Sequence, residues 1–230
     1  MTAPGRTGAW RRRRLARSRL YVVTGARREH GDLVAFLDAV LGAGADLVQL
    51  REKEAEAGDL LRWGEAFRDA AARHGALFVV NDRPDVVLAV KADGVHLGQN
   101  DLPGAFVRSL LGPELVIGIS THDEDQFAAA LPEADYLCAG PVHATPTKPG
   151  RPGTGVALLQ AAARRSAAGE EGRPWFAIGG IDRQTLPEVV AAGARRIVVV
   201  RAVTESEDPA AAVTALRRGL GVGGPSPQDR

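Results

Sequence analysis

The 230-residue chain has a single cysteine, Cys138, which excludes an intramolecular disulfide and makes a reducing cytoplasm the expected setting. Cys138 lies in an apolar run, where a thiol serves as a small buried hydrophobe. No apolar stretch approaches the roughly 20 residues of a membrane helix, and no apolar signal core follows the arginines near the start. Acid is missing from the first twenty residues, which carry seven arginines: Arg6, Arg11, Arg12, Arg13, Arg14, Arg17 and Arg19. The whole chain has a formal charge of +1, so removing these seven positive charges leaves the remainder at −6. A mildly acidic domain with a basic arm does not suit a dedicated nucleic-acid binder. The arm, residues 1–19, is expected to be disordered, with residues 1–17 dispensable for turnover, and the tail, residues 219–230, is expected to be disordered as well.

What the chain does have is one grammar repeated: a short apolar run, a polar cluster, then a helical pattern. The runs cover residues 20–23, 46–50, 77–80, 94–97, 115–119, 136–139, 175–178 and 197–200. Helical periodicity fills 32–41, 59–74, 125–131, 156–165, 184–192 and 209–216, several segments opening beside an aspartate and closing near Gly42, Gly75 or Gly193. Short strands without alternation, separated by amphipathic helices, indicate a parallel sheet covered by helices. Eight of them predict a single-domain (β/α)8 TIM barrel over residues 20–218, with an open doubly wound sheet as the alternative. No Gly-x-Gly-x-x-Gly follows the first run, where Thr24-Gly25-Ala26-Arg27 stands, so the dinucleotide-binding form of the open sheet loses its support. The weakest unit is 84–92, whose helical pattern is short and interrupted.

Barrel active sites are built by the loops that follow the strands. The second strand ends in Gln49-Leu50-Arg51-Glu52-Lys53, whose alternation aims Gln49, Arg51 and Lys53 to one side. Two cations and an amide at a barrel mouth call for an anion. The third strand ends in Asn81-Asp82, the fourth runs to Asp101, the fifth ends in Ser120-Thr121-His122, and the sixth opens into residues 140–150. In that last loop Thr145, Pro146, Thr147 and Lys148 form a proline-stiffened site for a phosphorylated ligand. The seventh strand ends in Gly179-Gly180, where barrels cradle a second phosphate with backbone N–H groups, and the eighth in Val200-Arg201. Asp82 and Asp101 after neighbouring strands are placed to share one hard cation, and a magnesium-bound pyrophosphate reconciles them with Arg51, Lys53 and Lys148. These residues alone point to a metal-assisted transferase or lyase holding a diphosphate and a monophosphate.

The motifs Gln-Leu-Arg-Glu-Lys at 49–53, Val-Asn-Asp-Arg at 80–83, Asp-Gly-Val-His-Leu-Gly-Gln at 93–99 with Asp101, and Gly-Ile-Ser-Thr-His at 118–122 resemble the thiamine-phosphate synthase family. So do Gly-Pro-Val-His-Ala-Thr-Pro-Thr-Lys-Pro-Gly at 140–150 and Ala-Ile-Gly-Gly-Ile at 177–181. The resemblance implies coupling of 4-amino-5-hydroxymethyl-2-methylpyrimidine diphosphate to a thiazole phosphate, or its carboxylated form, with release of pyrophosphate. By matched position it assigns the pyrimidine diphosphate to Gln49, Leu50, Arg51, Glu52, Lys53, Asn81, Ser120 and Lys148, with Arg51, Lys53, Ser120 and Lys148 acting on the leaving group. It assigns Mg²⁺ to Asp82 and Asp101, and the thiazole phosphate to Thr145, Pro146, Thr147, Gly180, Val200 and Arg201. The implied mechanism is dissociative and needs no protein nucleophile. The expected partners are small-molecule substrates, with no specific nucleic acid and no membrane, and a homo-oligomer is left open. Gly25, His143 and Arg201 depart from the family pattern, which has aspartate, an aromatic and serine at these places in many members. The alternatives are a thiazole tautomerase on the same barrel, kept alive by His122 as a proton carrier, and a phosphate-sensing regulator that does not turn over its ligand.

Overall fold

The computed structural model describes residues 6–144, 153–168 and 173–222. The apolar runs form strands β1 (Leu20–Thr24), β2 (Leu47–Leu50), β3 (Leu77–Asn81), β4 (Gly94–Leu97), β5 (Val116–Thr121), β6 (Tyr136–Ala139), β7 (Trp175–Ile178) and β8 (Ile197–Val199). Nearly every residue in them is buried on both faces, which only a sheet covered on both sides allows. Each strand pairs in parallel with the next, and β8 pairs with β1 through Leu20–Ile197, Tyr21–Val198 and Val22–Val199. That last pairing closes the barrel and excludes the open sheet.

The helices are α1 (Gly8–Arg17), α2 (Leu33–Gly42), α3 (Ala57–Arg73), α4 (Pro84–Val90), α5 (Gly104–Leu111), α6 (Glu124–Ala130), α7 (Ala157–Ala167), α8 (Leu186–Ala191), α9 (Arg201–Thr204) and α10 (Pro209–Gly219). The weak unit at 84–92 forms α4, opened by Pro84 in the first turn and stopped by Lys91 in the left-handed region at φ 58°. No helix among the described residues is long and apolar enough to cross a membrane.

Strand alternation divides the core in two. Leu20, Val22, Val48, Leu50, Phe78, Val80, Val95 and Ile117 face outward and pack with the helices. Tyr21, Val23, Leu47, Leu77, Val79, Val116, Tyr136, Cys138, Phe176 and Val198 fill the barrel interior. The Tyr136 ring lies where a side chain on Gly118 would sit, since a Cβ there would meet it at 2.0 Å. Cys138 is buried in this layer, as its sequence setting predicts.

The expected disorder of the arm is overturned over most of its length. Residues 8–17 form α1 across the N-terminal end of the barrel, with Leu15 pushed into the interior layer. Three of its arginines are held by three aspartates, each standing immediately before an even-numbered strand: Asp46 before β2, Asp93 before β4 and Asp135 before β6. Arg11, only 2% exposed, sets its Nε 3.0 Å from Asp93 Oδ1, Arg12 Nε lies 3.0 Å from Asp135 Oδ1, and Arg14 Nη2 lies 3.4 Å from Asp46 Oδ1. Arg6 also pairs with Asp93. The second oxygen of each aspartate accepts a backbone N–H from the preceding odd strand: Leu20 at 3.1 Å, Phe78 at 3.0 Å and Ile117 at 2.9 Å. The arm lacks apolar periodicity because, Leu15 and Trp10 apart, carboxylates rather than apolar side chains hold it. The tail boundary also moves: Gly219 ends α10, and Val222 N–H still caps the Arg217 carbonyl at 3.0 Å. Residues 223–230 lie outside the described part.

Candidate active site

The strand ends opposite α1 enclose a cavity of about 520 Å³, a size suited to small organic ligands. Gln49, Asn81, His96, Ser120, Cys138, Ile178 and Val200 line it, all in the inward phase of their strands. Arg51 lines it from just beyond β2, its amide fixed to the Thr24 carbonyl at 2.9 Å. Gly179, Gly180, Ile181, Asp182 and Arg201 form the opposite wall. Both glycines have positive φ, 105° and 63°, and a Cβ on Gly179 would lie 2.5 Å from Pro141 Cα, so this tight turn admits no side chain.

The floor is a hydrogen-bonded row. Gln49 Nε2 donates to the Tyr21 hydroxyl at 2.5 Å, Tyr21 and Tyr136 hydroxyls are 3.2 Å apart, Tyr136 lies 3.1 Å from His96 Nδ1, and His96 Nε2 lies 2.9 Å from Ser120 Oγ. Gln99 Nε2 donates to the Ser120 carbonyl at 2.6 Å and fixes that strand end. Tyr21, Tyr136 and His96 were not among the residues expected at the site. Their signal was present in the alternation, since each stands in the same phase as Gln49 or Ser120.

At the rim, Asp82 adopts a left-handed φ of 61° and donates its amide to the His96 carbonyl at 2.9 Å. Its carboxyl lies 3.1 Å from Lys53 Nζ and within hydrogen-bonding reach of Asp101. Asp101 is steadied by the Gly98 amide at 2.6 Å. Burial, then the neighbouring Asp101, push the Asp82 carboxyl above the ordinary carboxylate range, against the pull of Lys53. Among the described residues no group of three or more His, Cys, Asp or Glu side chains is arranged to hold a metal. Two carboxylates forced together fit a hard cation that takes its remaining oxygens from substrate and water.

This shift sets a test. A carboxyl whose folded value is raised contributes stability that is fully present below its unfolded value, about 3.9, and lost as pH rises through the folded value. In metal-free buffer Asp82→Asn is therefore expected to raise Tm at neutral pH, with the gain vanishing below about pH 4. A Tm gain independent of pH would show that the two carboxyls do not strain each other.

Three expected contacts are relocated. The Leu50 side chain is 1% exposed and packs outward against the helices, so only its backbone is at the mouth. Glu52 turns away from the cavity to accept the Ala26 amide at 2.7 Å. Lys53 is not part of the cavity wall but pairs with Asp82 at the rim. Glu52 also accounts for the glycine at position 25, because a Cβ there would meet its Oε1 at 2.5 Å. His122 lines the cavity, and its Nδ1 donates to the Gly140 carbonyl at 2.5 Å. His143 Nε2 stands 3.9 Å from Glu188 Oε2, beside the wall. Thr145, Pro146, Thr147 and Lys148 lie outside the described residues.

Comparison with known proteins decides the family. The family model of thiamine monophosphate synthase matches residues 20–203. The chain belongs to this family. It is 56% identical over 200 residues to the thiamine-phosphate synthase of Acidothermus cellulolyticus, covering 86% of this chain and 92% of that protein. It is 52% identical over 221 residues to that of Mycolicibacterium smegmatis, covering 92% and 96%. A solved thiamine phosphate pyrophosphorylase from Pyrococcus furiosus superposes with a TM-score of 0.78 at 33% identity, covering 91% of this chain and 97% of that one. The chain is thus an enzyme, a transferase of thiamine biosynthesis.

Proposed function

We propose that the enzyme condenses 4-amino-5-hydroxymethyl-2-methylpyrimidine diphosphate with a thiazole phosphate, plain or carboxylated, to give thiamine phosphate and pyrophosphate. The observation that carries this reading is the convergence in one cavity of Gln49, Arg51, Asn81 and Ser120 on one side and Gly180, Val200 and Arg201 on the other, with paired Asp82 and Asp101 at the rim. The first group suits the pyrimidine diphosphate and the second the thiazole phosphate, an arrangement that would bring one substrate's carbon beside the other's nitrogen.

The C–O bond to the diphosphate breaks first, leaving a pyrimidinyl-methyl cation that the thiazole nitrogen captures. Arg51, Lys53 and Lys148 neutralise the departing pyrophosphate, and Ser120 gives it a hydrogen bond. Asp82 and Asp101 would hold Mg²⁺, which supplies further positive charge to the pyrophosphate when bound. The chain provides no nucleophile in this scheme. Its residues orient both substrates and stabilise the developing charge.

Incubation of the purified enzyme with both substrates and Mg²⁺ is expected to yield thiamine phosphate and pyrophosphate in equal amounts. No product from folded protein would overturn the reading. Lys148→Ala is expected to lower kcat by about 10²–10³, the usual cost of removing one electrostatic contact to a developing charge, and His122→Ala to lower it less. Steady-state kinetics of both variants decide. The reverse ranking, with both proteins folded, would favour proton transfer at His122 and a thiazole tautomerase.

A further inference from the structure

We propose that the buried row Gln49, Tyr21, Tyr136, His96 and Ser120 is a one-directional hydrogen-bond chain that fixes the His96 tautomer and thereby makes Ser120 a donor to the ligand. Tyr21 and Tyr136 are its positioning residues. The proposal rests on the reading that Ser120 serves the pyrimidine diphosphate.

The direction follows from counting protons along the row. The Gln49 amide nitrogen can only donate, so the Tyr21 oxygen accepts from it at 2.5 Å. Tyr21 must then place its own proton, and the Tyr136 oxygen 3.2 Å away is the acceptor within reach. Tyr136, having accepted, gives its proton to His96 Nδ1 at 3.1 Å. With Nδ1 acting as acceptor, the neutral imidazole carries its proton on Nε2, which donates to Ser120 Oγ at 2.9 Å. The Ser120 hydroxyl proton has no acceptor among the described residues, and the side chain lines the cavity. The one proton the row leaves unspent therefore points at the ligand.

Both phenols are fully enclosed, and burial pushes each well above its ordinary value, so neither loses the proton the chain needs. The rings are also locked as bodies. Tyr21 and Tyr136 meet edge to face at 6.0 Å, each packs edge to face on Phe176 at 5.8 Å, and His96 lies against Tyr136 at 5.6 Å. The bare Gly118 leaves the room that the Tyr136 ring occupies. A leaving diphosphate carries only acceptor oxygens along its bridging bond, so a serine that presented a lone pair would repel it. A serine compelled to donate stabilises the charge as it develops.

The test combines spectroscopy and kinetics on the full chain labelled with ¹⁵N-histidine, His96 being assigned by its absence in His96→Asn. Wild-type His96 is expected to show the Nε2–H form, and Tyr136→Phe, which keeps the ring, is expected to mix the two tautomers. The same substitution is expected to lower kcat by about 10–100-fold, the usual cost of losing a group that orients a directly acting one, in a protein that remains folded. In a Ser120→Ala background it should lower kcat no further, because the chain acts only through that hydroxyl. Tyr21→Phe breaks the same chain one link earlier and replaces Tyr136→Phe should the latter not fold. An Nδ1–H form in the wild type, or additive losses in the double variant, would overturn the proposal. Full turnover by Ser120→Ala would instead remove the underlying role of Ser120, and the tautomer, read separately, would still decide the direction of the chain.

Discussion

Replacing Asp82 or Asp101 by alanine is expected to abolish turnover or weaken it severely, and raising Mg²⁺ should restore part of the loss. Burial and then the neighbouring Asp101 raise the Asp82 carboxyl, and Lys53 supplies only one positive charge at 3.1 Å. The pair is thus short of positive charge, and on the proposed reading a divalent cation would supply it. Because both act through one ion, the losses should not add: once one ligand is gone, the second has little left to contribute. Turnover against Mg²⁺ for both single variants and the double variant, with Tm beside it, reads this directly. A purely structural aspartate would leave the Mg²⁺ half-saturation unchanged. Additive losses, or losses that follow Tm alone, would refute the shared cation.

Removing α1 is expected to unfold the barrel or leave it prone to aggregation, the reverse of what a disordered arm would do. Arg11→Ala alone should lower stability by about 3–5 kcal/mol, because it strands the buried Asp93 carboxylate with less compensation. That is a large share of the roughly 5–15 kcal/mol that holds a typical domain together. Burial raises the Asp93 carboxyl even against the pull of Arg6, the Phe78 amide and Arg11, so its charge has no compensation to spare when Arg11 is lost. The exposed Arg13 serves as the control, with a change of about 0.5 kcal/mol or less. Chemical denaturation of the two variants settles the matter. Equal midpoints would mean that the arginines of α1 are solvated after all.

Much of the site was legible because barrel geometry turns linear order into position. Gln49, Arg51, Asn81, Ser120, Gly180, Val200 and Arg201 all line the cavity, since each follows or ends an inward-facing strand phase. Leu50 and Glu52 did not follow, for a local reason. The pleat sends Leu50 outward, and Glu52 is drawn to the Ala26 amide in a space that Gly25 leaves open. Tyr21, His96 and Tyr136 read as core residues in isolation and acquire a polar role only where strands β1, β4 and β6 face one another across the barrel.

The sequence by itself determined the eight strand-and-helix units, their parallel order and the polar residues at the strand ends, because apolar periodicity and turn residues act over a few neighbours along the chain. Tertiary structure decided what the arginines of α1 do and how the floor of the cavity is bonded. Arg14, Arg11 and Arg12 meet Asp46, Asp93 and Asp135 across 32, 82 and 123 residues, and Tyr21 meets Tyr136 across 115. Such charge pairs and hydrogen bonds leave no periodic trace along the chain. They become favourable only once barrel closure has removed water from both partners and fixed them within bonding distance.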